Sequence, residues 1–478
     1  MTKLNELSII EASAKLQAGE ITAVDLARAC LAEIERDRPE GTVDRLNAYL
    51  EVFTDVEEQA KQADERRKAG ESHPLLGIPL AIKDNILIKG KKVSAASKML
   101  EHYSATYDAT VIQKLKDAGT VFLGRTNMDE FALGGSTENS AFGPTKNPHD
   151  PTRVAGGTSG GSAAAVAAHM CLGALGTDTG GSVRNPASFC GVVGLKPTYG
   201  TVSRSGLIAA VSSFDQAGPI TKTVEDAKLI FDTIRGKDIL DATSIDEDLY
   251  PKHTQKKIIG VIKLNVETAK ENMDAVNSTV QVFSAAIKKL ENEGFKIVEI
   301  NLPSMQPALA AYYITNFAEV SSNLSRFDGV RYGLSLSGES LFDDYAKSRG
   351  EGFGAETRRR IILGTYVLSA GYYDAYYGKA VAAREQLRKE FEQTFKDVDV
   401  IATPTMPTPA WKIGEKSDPL SAYLADIFTV TANLTGNPAI SVPMGTVDGL
   451  PVGIQFTAAH GDEETLFRVG KNVAGEEK

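Results

Sequence analysis

Gly156-Gly157-Thr158-Ser159-Gly160-Gly161-Ser162 and Gly176-Thr177-Asp178-Thr179-Gly180-Gly181-Ser182, two glycine-rich turns in one short window, decide how this chain is read. Eight glycines fall between positions 156 and 182. Glycine at this density lets backbone N–H groups come close to a ligand or a reacting atom. The hydroxyls beside those groups can act as nucleophiles or proton relays. Together they make up an oxyanion-stabilising acyl-transfer site, provided that a base is found.

Strand and helix patterns alternate outward from these turns. Residues 162–170 are alanine-rich and helical, opening directly at the first turn. Residues 172–177 read as a strand running into the second turn, with a helix from about 182 and a strand at 192–195. Toward the N-terminus, 5–36 carries a helical apolar stripe with Thr22 as a plausible N-cap, and 51–70 reads as a charged helix. Residues 76–85, Leu-Gly-Ile-Pro-Leu-Ala-Ile-Lys-Asp-Asn, read as a buried strand whose end carries Lys83. A helix at 111–118 and a strand at 121–124 follow. Toward the C-terminus come a strand at 258–262, a helix at 276–293, a strand at 296–300, an almost wholly helical stretch at 303–395, and strands at 399–402 and 439–442.

This alternation predicts an α/β fold with a large mixed or mostly parallel sheet sandwiched by helices. The chain reads as one domain over 1–478, with a helical N-terminal segment to about 70 and a core at about 71–235. The charged stretch 236–257 is the best soft boundary and is read as a surface loop.

Composition narrows the function. At 478 residues, 42% hydrophobic and 24% charged, the chain can bury a large core. Its net charge of −10 argues against broad direct contact with nucleic acid, though not against a partner that carries it. Cys30, Cys171 and Cys190 are odd in number and widely spaced, which suggests neither a disulfide framework nor a zinc site; no metal site is expected. Residues 1–20 lack a basic stretch followed by an apolar one, and no apolar run reaches about 18 residues. A cytoplasmic protein without a membrane span is therefore expected.

Neither turn is followed by the lysine of a Walker motif or built as G-x-G-x-x-G after a strand, which argues against phosphate binding. Gly157-Thr158-Ser159-Gly160-Gly161 does fit G-x-S-x-G. That nucleophile elbow needs a late histidine. Only His460 of the six histidines is late, and it sits in a polar run that reads as a surface turn. His169 reads as a residue of the helix after the first turn. The other candidate base is Lys83. A lysine must be uncharged to accept a proton, which asks for a pKa drop of roughly three units, or about 4 kcal/mol. Burial at a sheet end can supply it, but Lys83-Asp84 could equally be a surface ion pair. The residues alone leave both readings open.

A resemblance separates them. The two turns and the run Ala81-Ile82-Lys83-Asp84-Asn85 resemble the amidase signature family, whose members use a Ser–Ser–Lys triad. The resemblance puts the base at Lys83, the relay hydroxyl at Thr158, 24 residues before the nucleophile, and the nucleophile at Ser182, with Arg184 and Pro186 following. The family usually has serine where Thr158 stands, after a cis peptide bond. Threonine keeps the hydroxyl but adds a methyl group and a stiffer χ1, and Ser159 next door is a possible substitute.

Further stretches narrow the resemblance to the branch that supplies ammonia to tRNA-dependent amidotransferases. They include Asn127-Met128-Asp129-Glu130-Phe131, Gly134-Gly135-Ser136-Thr137-Glu138, Lys196-Pro197-Thr198-Tyr199-Gly200 and Ser369-Ala370-Gly371-Tyr372-Tyr373-Asp374-Ala375-Tyr376-Tyr377. The resemblance implies hydrolysis of glutamine, with the N–H groups of Thr179, Gly180, Gly181 and Ser182 as the oxyanion hole. Arg360 is implied for the substrate carboxylate and Asp426 for its ammonium, with Tyr312 nearby and Ser136 on a pocket loop; Asp178 supports the turn. Without the resemblance, Arg360 in Arg358-Arg359-Arg360 reads as part of a solvated face and Asp426 as a surface acid. The branch further implies no cofactor in this chain, a B subunit that binds ATP, magnesium and misacylated glutamyl- or aspartyl-tRNA, and a small C subunit that wraps both. A stand-alone amidase for small amides is the rival reading; a catalytically silent scaffold is the other.

Overall fold

A computed structural model describes residues 3–37, 45–246, 256–262, 273–416 and 418–476. In chain order, its strands are β1 (Tyr49–Val52), β2 (Pro79–Lys83), β3 (Val121–Thr126), β4 (Lys146–Asn147), β5 (Asp150–Val154), β6 (Gly173–Asp178), β7 (Val193–Lys196), β8 (Gln216–Thr221), β9 (Ile258–Ile262), β10 (Lys296–Ile300), β11 (Val400–Pro404), β12 (Ala439–Val447) and β13 (Leu450–Ala458). Eleven of them form one sheet in the order β1-β3-β2-β6-β8-β7-β12-β13-β11-β9-β10, and β4 pairs with β5. The sheet is mixed, with helices packed against it.

Of the two arrangements expected, the sheet takes the mixed one rather than the mostly parallel one. Parallel pairs lie toward the two ends of the sheet, in β3-β2-β6 and β11-β9-β10. Its centre, from β6 through β8, β7, β12 and β13 to β11, is antiparallel. The sequence expectations contain neither β8 nor β13, the strands that reverse direction. Gln216-Ala-Gly-Pro-Ile-Thr carries a Gly-Pro pair that reads as a turn. Pro219 is tolerated because it pairs with Leu175 on β6, while the ladder with β7 ends at Gly194–Ile220. β1 also replaces the first turn of the helix expected over 51–70, which runs over Val56–Lys68.

Other expectations hold. Thr22 caps the helix Ala23–Arg36, its side chain accepting from Asp25 N–H while Asp25 accepts from Thr22 N–H. The stretch 303–395 is built largely of helices, among them Ala308–Asn323, Leu341–Gly352, Ala355–Val367 and Lys379–Thr394. His169, however, lies beyond the end of the helix Gly160–Ala167, at φ 55°. All three cysteines are buried and free. The expected loop at 236–257 lies in part outside the described residues. No helix among the described residues is long and apolar enough to cross a membrane.

β2 and β6 are buried at every position. Being parallel neighbours with Ile82 opposite Leu175, they run out at the same edge of the sheet, β6 reaching two residues further. Lys83 closes one and Asp178 the other, so the end of β2 and the second glycine turn are brought side by side.

Candidate active site

Lys83 is 0% exposed. Its Nζ lies 2.7 Å from Thr158 Oγ1, 2.9 Å from Ser159 Oγ, 2.8 Å from Thr177 Oγ1 and 3.3 Å from the Thr177 carbonyl. It makes no pair with Asp84. That carboxylate is buried too and is held by Arg125 at 2.9 Å and by Ser94, which removes the surface-pair reading. Burial pushes the Lys83 amine down from 10.5 to about 7, against the opposing pull of Asp129, Asp178 and Asp215. An amine of that kind is uncharged in a large fraction at neutral pH.

Thr158 follows a cis Gly157–Thr158 peptide bond. The Thr158 carbonyl accepts from Asp129 N–H, and the Asp129 carboxylate accepts from Ser136, Thr137 and Asn139 N–H. One buried acid therefore ties Thr158 to the loop carrying Ser136. Burial pushes the Asp129 carboxyl up to about 6.

Ser182 closes the second turn, and its carbonyl accepts from Ser159 N–H at 3.1 Å. Gly181 holds φ +127°, a conformation that favours glycine, and a Cβ there would meet Thr429 Oγ1 at 2.5 Å. Asp178 shapes the turn from below. It accepts from Gly181 N–H at 2.9 Å and Val183 N–H at 3.2 Å, and pairs through both oxygens with buried Arg184. The Arg184 guanidinium holds the Asp178 carboxyl well below the usual carboxylate range even though burial opposes it. The Gly181 N–H, one of the four expected in the oxyanion hole, thus donates to Asp178 in this structure. The N–H groups of Thr179, Gly180 and Ser182 have no partner among the described residues.

A cavity of about 260 Å³ is lined by, among others, Ser136, Tyr313, Glu356, Arg360, Tyr423 and Asp426. Arg360 is 3% exposed and Asp426 8% exposed, so neither lies on a solvated face. Arg360 Nε meets Glu356 Oε1 at 2.8 Å and Nη1 meets Asn316 Oδ1 at 3.1 Å, while its guanidinium carbon lies 5.5 and 5.3 Å from the Tyr313 and Tyr423 ring centres. Part of its donor fork is therefore taken up within the protein. Burial pushes the Asp426 carboxyl up to about 7 despite a 2.7 Å hydrogen bond from the Tyr313 hydroxyl and the nearby charge of Arg360. Thr429 links cavity and turn: its backbone N–H donates to the Asp426 carbonyl and its hydroxyl to the Gly180 carbonyl.

Tyr312 lies near Arg360 and Asp426, within reach of both charges, and accepts a hydrogen bond from Asn316, the residue that also accepts from Arg360. Its hydroxyl lies against Gly180, where a Cβ would come within 2.2 Å, and its ring stacks on Phe214 at 5.6 Å. The next residue, Tyr313, lines the cavity, as helical geometry turns it about 100° away. Sequence reasoning also missed Glu356, although its position four residues before Arg360 on a helix is a legible pairing signal. Asn316 and Tyr423 had no such signal. His460 is mostly buried, with Nε2 against the Thr435 carbonyl at 2.9 Å.

Among the described residues no group of three His, Cys, Asp or Glu side chains is placed to hold a metal ion. The chemistry on offer is a low-pKa amine against hydroxyls, N–H groups in a glycine turn without a partner among the described residues, and a cavity lined by buried Arg360 with its ion-pair partner Glu356 and by buried Asp426.

The Amidase family model matches residues 27–467. A protein of Desulfatibacillum aliphaticivorans, named as the A subunit of glutamyl-tRNA(Gln) amidotransferase, is 49% identical over 98% of this chain and 96% of its own length; its namesake in Koribacter versatilis is 50% identical over 98% of both. The crystal structure of the glutamyl-tRNA(Gln) amidotransferase A subunit from Thermotoga maritima superimposes with a TM-score of 0.79 at 40% identity, covering 99% of this chain and 95% of that one. The native peptide amidase of Stenotrophomonas maltophilia gives 0.81 at 29% identity, covering 98% and 97%. With the family pattern and the fold both matched along nearly its whole length, this chain belongs to the Amidase family.

Proposed function

We propose that this chain is the glutamine-hydrolysing A subunit of a tRNA-dependent amidotransferase, releasing ammonia for the amidation of misacylated glutamyl- or aspartyl-tRNA. The names of its full-length relatives support this reading. The observation that carries it is that buried Arg360 and buried Asp426 line one cavity, which Thr429 ties to the glycine turn. A free amino acid presents a carboxylate and an ammonium, and that pair answers both. A small neutral amide needs neither.

In this reading uncharged Lys83 takes a proton from Thr158, which takes one from Ser182. The Ser182 oxygen attacks the side-chain amide carbon of glutamine. The N–H groups of Thr179, Gly180 and Ser182 receive the developing oxyanion. The proton returns to the nitrogen as the C–N bond breaks, ammonia leaves, and water releases glutamate from the acyl-enzyme. Ser136 sits on the loop edging the cavity, and Tyr312 backs the turn. ATP, magnesium and tRNA belong to the partner B subunit, with a small C subunit completing a cytoplasmic heterotrimer. This chain supplies no cofactor of its own.

The rival reading, a stand-alone amidase, is favoured by the likeness to the peptide amidase. Replacement of Arg360 by methionine separates the two. Loss of a charged hydrogen bond of about 1.5–3 kcal/mol should raise KM for glutamine about 10- to 100-fold, with kcat little changed and turnover of amides lacking an α-carboxylate unaffected. Wild-type indifference to glutamine, with rapid cleavage of simple amides, would establish the rival.

The pH profile gives a second test. Lys83 and Asp426 both titrate at about 7, and the reaction needs both deprotonated. As pH falls through 7, Lys83 gains a proton and stops acting as a base, while Asp426 gains one and loses its attraction for ammonium. Log kcat/KM for glutamine should fall with a slope approaching 2, against a slope near 1 for an amide without an α-ammonium. Equal slopes for the two substrates would remove Asp426 from glutamine recognition.

A further inference from the structure

Asn85 has no part in the scheme above, yet its side chain points into the proton relay. It lies in the turn after β2 and is 3% exposed. Its Nδ2 donates to Thr177 Oγ1 at 3.0 Å, and its Oδ1 is buried with no hydrogen-bond partner among the described residues. A residue kept only to shape this turn would spend its oxygen on a backbone N–H. Asp84 beside it does so, accepting from Ser94 and Ala96 N–H. Asn85 instead leaves one polar atom unsatisfied while gripping a hydroxyl that lies 2.8 Å from the Lys83 amine. An unpaired buried carbonyl costs free energy, so its retention calls for a function.

We propose that Asn85 is a positioning residue of the relay: by holding the Thr177 hydroxyl against Lys83, it fixes where the amine sits and which way its lone pair faces. The proposal rests on the reading of Lys83 as the base. An uncharged amine has two N–H bonds and one lone pair. Ser159 Oγ offers one acceptor, its own proton going to the Thr177 carbonyl at 3.2 Å. Thr177 Oγ1, pinned by Asn85, offers the second. The lone pair is then left for the Thr158 hydroxyl at 2.7 Å. The same ring of oxygens accepts all three protons of the ammonium once the relay has turned over, so the amine changes charge without moving.

The charged groups around Lys83 are Asp129 after β3, Asp178 at the end of β6 with its partner Arg184, and Asp215 before β8. The substitutions below alter none of them. Asn85→Asp places a carboxylate one hydroxyl away from the amine and favours its charged form. The acid limb of kcat/KM should move up by about one pH unit, with activity recovering at higher pH. Asn85→Ala should lower kcat about tenfold with KM for glutamine unchanged. Both are read on the holoenzyme beside its thermal midpoint. An unmoved acid limb in Asn85→Asp, or a loss of rate equal at every pH, would reduce Asn85 to a structural residue and overturn the proposal. Should either variant fail to fold, Thr177→Val, which keeps the shape and removes the hydroxyl, should lower kcat about tenfold with KM for glutamine unchanged and move the acid limb down; an unchanged kcat and limb would overturn the proposal. Full activity in Lys83→Met would instead overturn the parent reading, an outcome distinct from these.

Discussion

Ser182→Ala abolishes glutamine hydrolysis, by a factor of about 10⁶ if this relay behaves as other serine-based ones do. The loss is that large because the hydroxyl is proposed to form the covalent bond, and nothing in the free N–H groups of Thr179, Gly180 and Ser182 can replace it. Those groups remain, so a residual rate above that of water persists. The protein itself should be undisturbed: the Ser182 contact to Ser159 runs through the backbone carbonyl, which alanine keeps. Ammonia release from the holoenzyme measures the effect. A fluorophosphonate should label the wild type on the tryptic peptide containing Ser182 and leave the variant unlabelled. Retained glutaminase activity, or labelling that persists elsewhere in proportion to activity, places the nucleophile at another residue.

Lys83→Met has the second-largest effect and a signature of its own. Removal of a general base costs about 10²–10⁴ in rate. Stability should move the other way. In the folded chain the amine titrates at about 7, and in the unfolded chain near its ordinary 10.5. Between those values the unfolded state holds a proton that the folded state has released, so this lysine destabilises the fold, and does so less as pH rises. Methionine carries no such penalty. The variant should therefore be the more stable protein at neutral pH, by up to about 4 kcal/mol. Its advantage should shrink as pH rises from 7 toward 10. Denaturant unfolding of both proteins across that range measures this. An advantage independent of pH would mean that Lys83 keeps its proton in the folded state, and the proposed base would be lost.

The parts of this site that could be read from the residues are those in which the chemistry is local. Thr158, Ser159 and Ser182 stand in dense glycine turns, and Lys83 stands at the end of an apolar run, so each carries its own signal. Arg360 and Asp426 do not. On sequence, Arg358-Arg359-Arg360 is one run of like charge, yet Arg360 is buried while Arg358 and Arg359 are exposed. Helical geometry turns successive side chains by about 100°, and only the partner helices decide which of the three points inward. Asp426 is drawn from the surface by Tyr313, more than a hundred residues earlier in the chain. The fold shows the same division. Strands with continuous apolar runs, such as β2, were legible, whereas β8 was hidden by its Gly-Pro pair until its neighbours supplied a register that tolerates proline.

The residue order by itself determined the alternation of strands and helices, the two turns able to bring N–H groups to a reacting atom, and the supply of hydroxyls in them. These follow from local backbone preference and from functional groups that each residue carries anywhere. Tertiary structure alone decided that Lys83 is dry enough to lie at about 7, that Gly181 spends its N–H on Asp178, and that a cation and an acid distant in the chain share one cavity. The physical reason is desolvation. Whether a charge keeps its water depends on what packs around it, and that is a property of the assembled layers rather than of any stretch of chain.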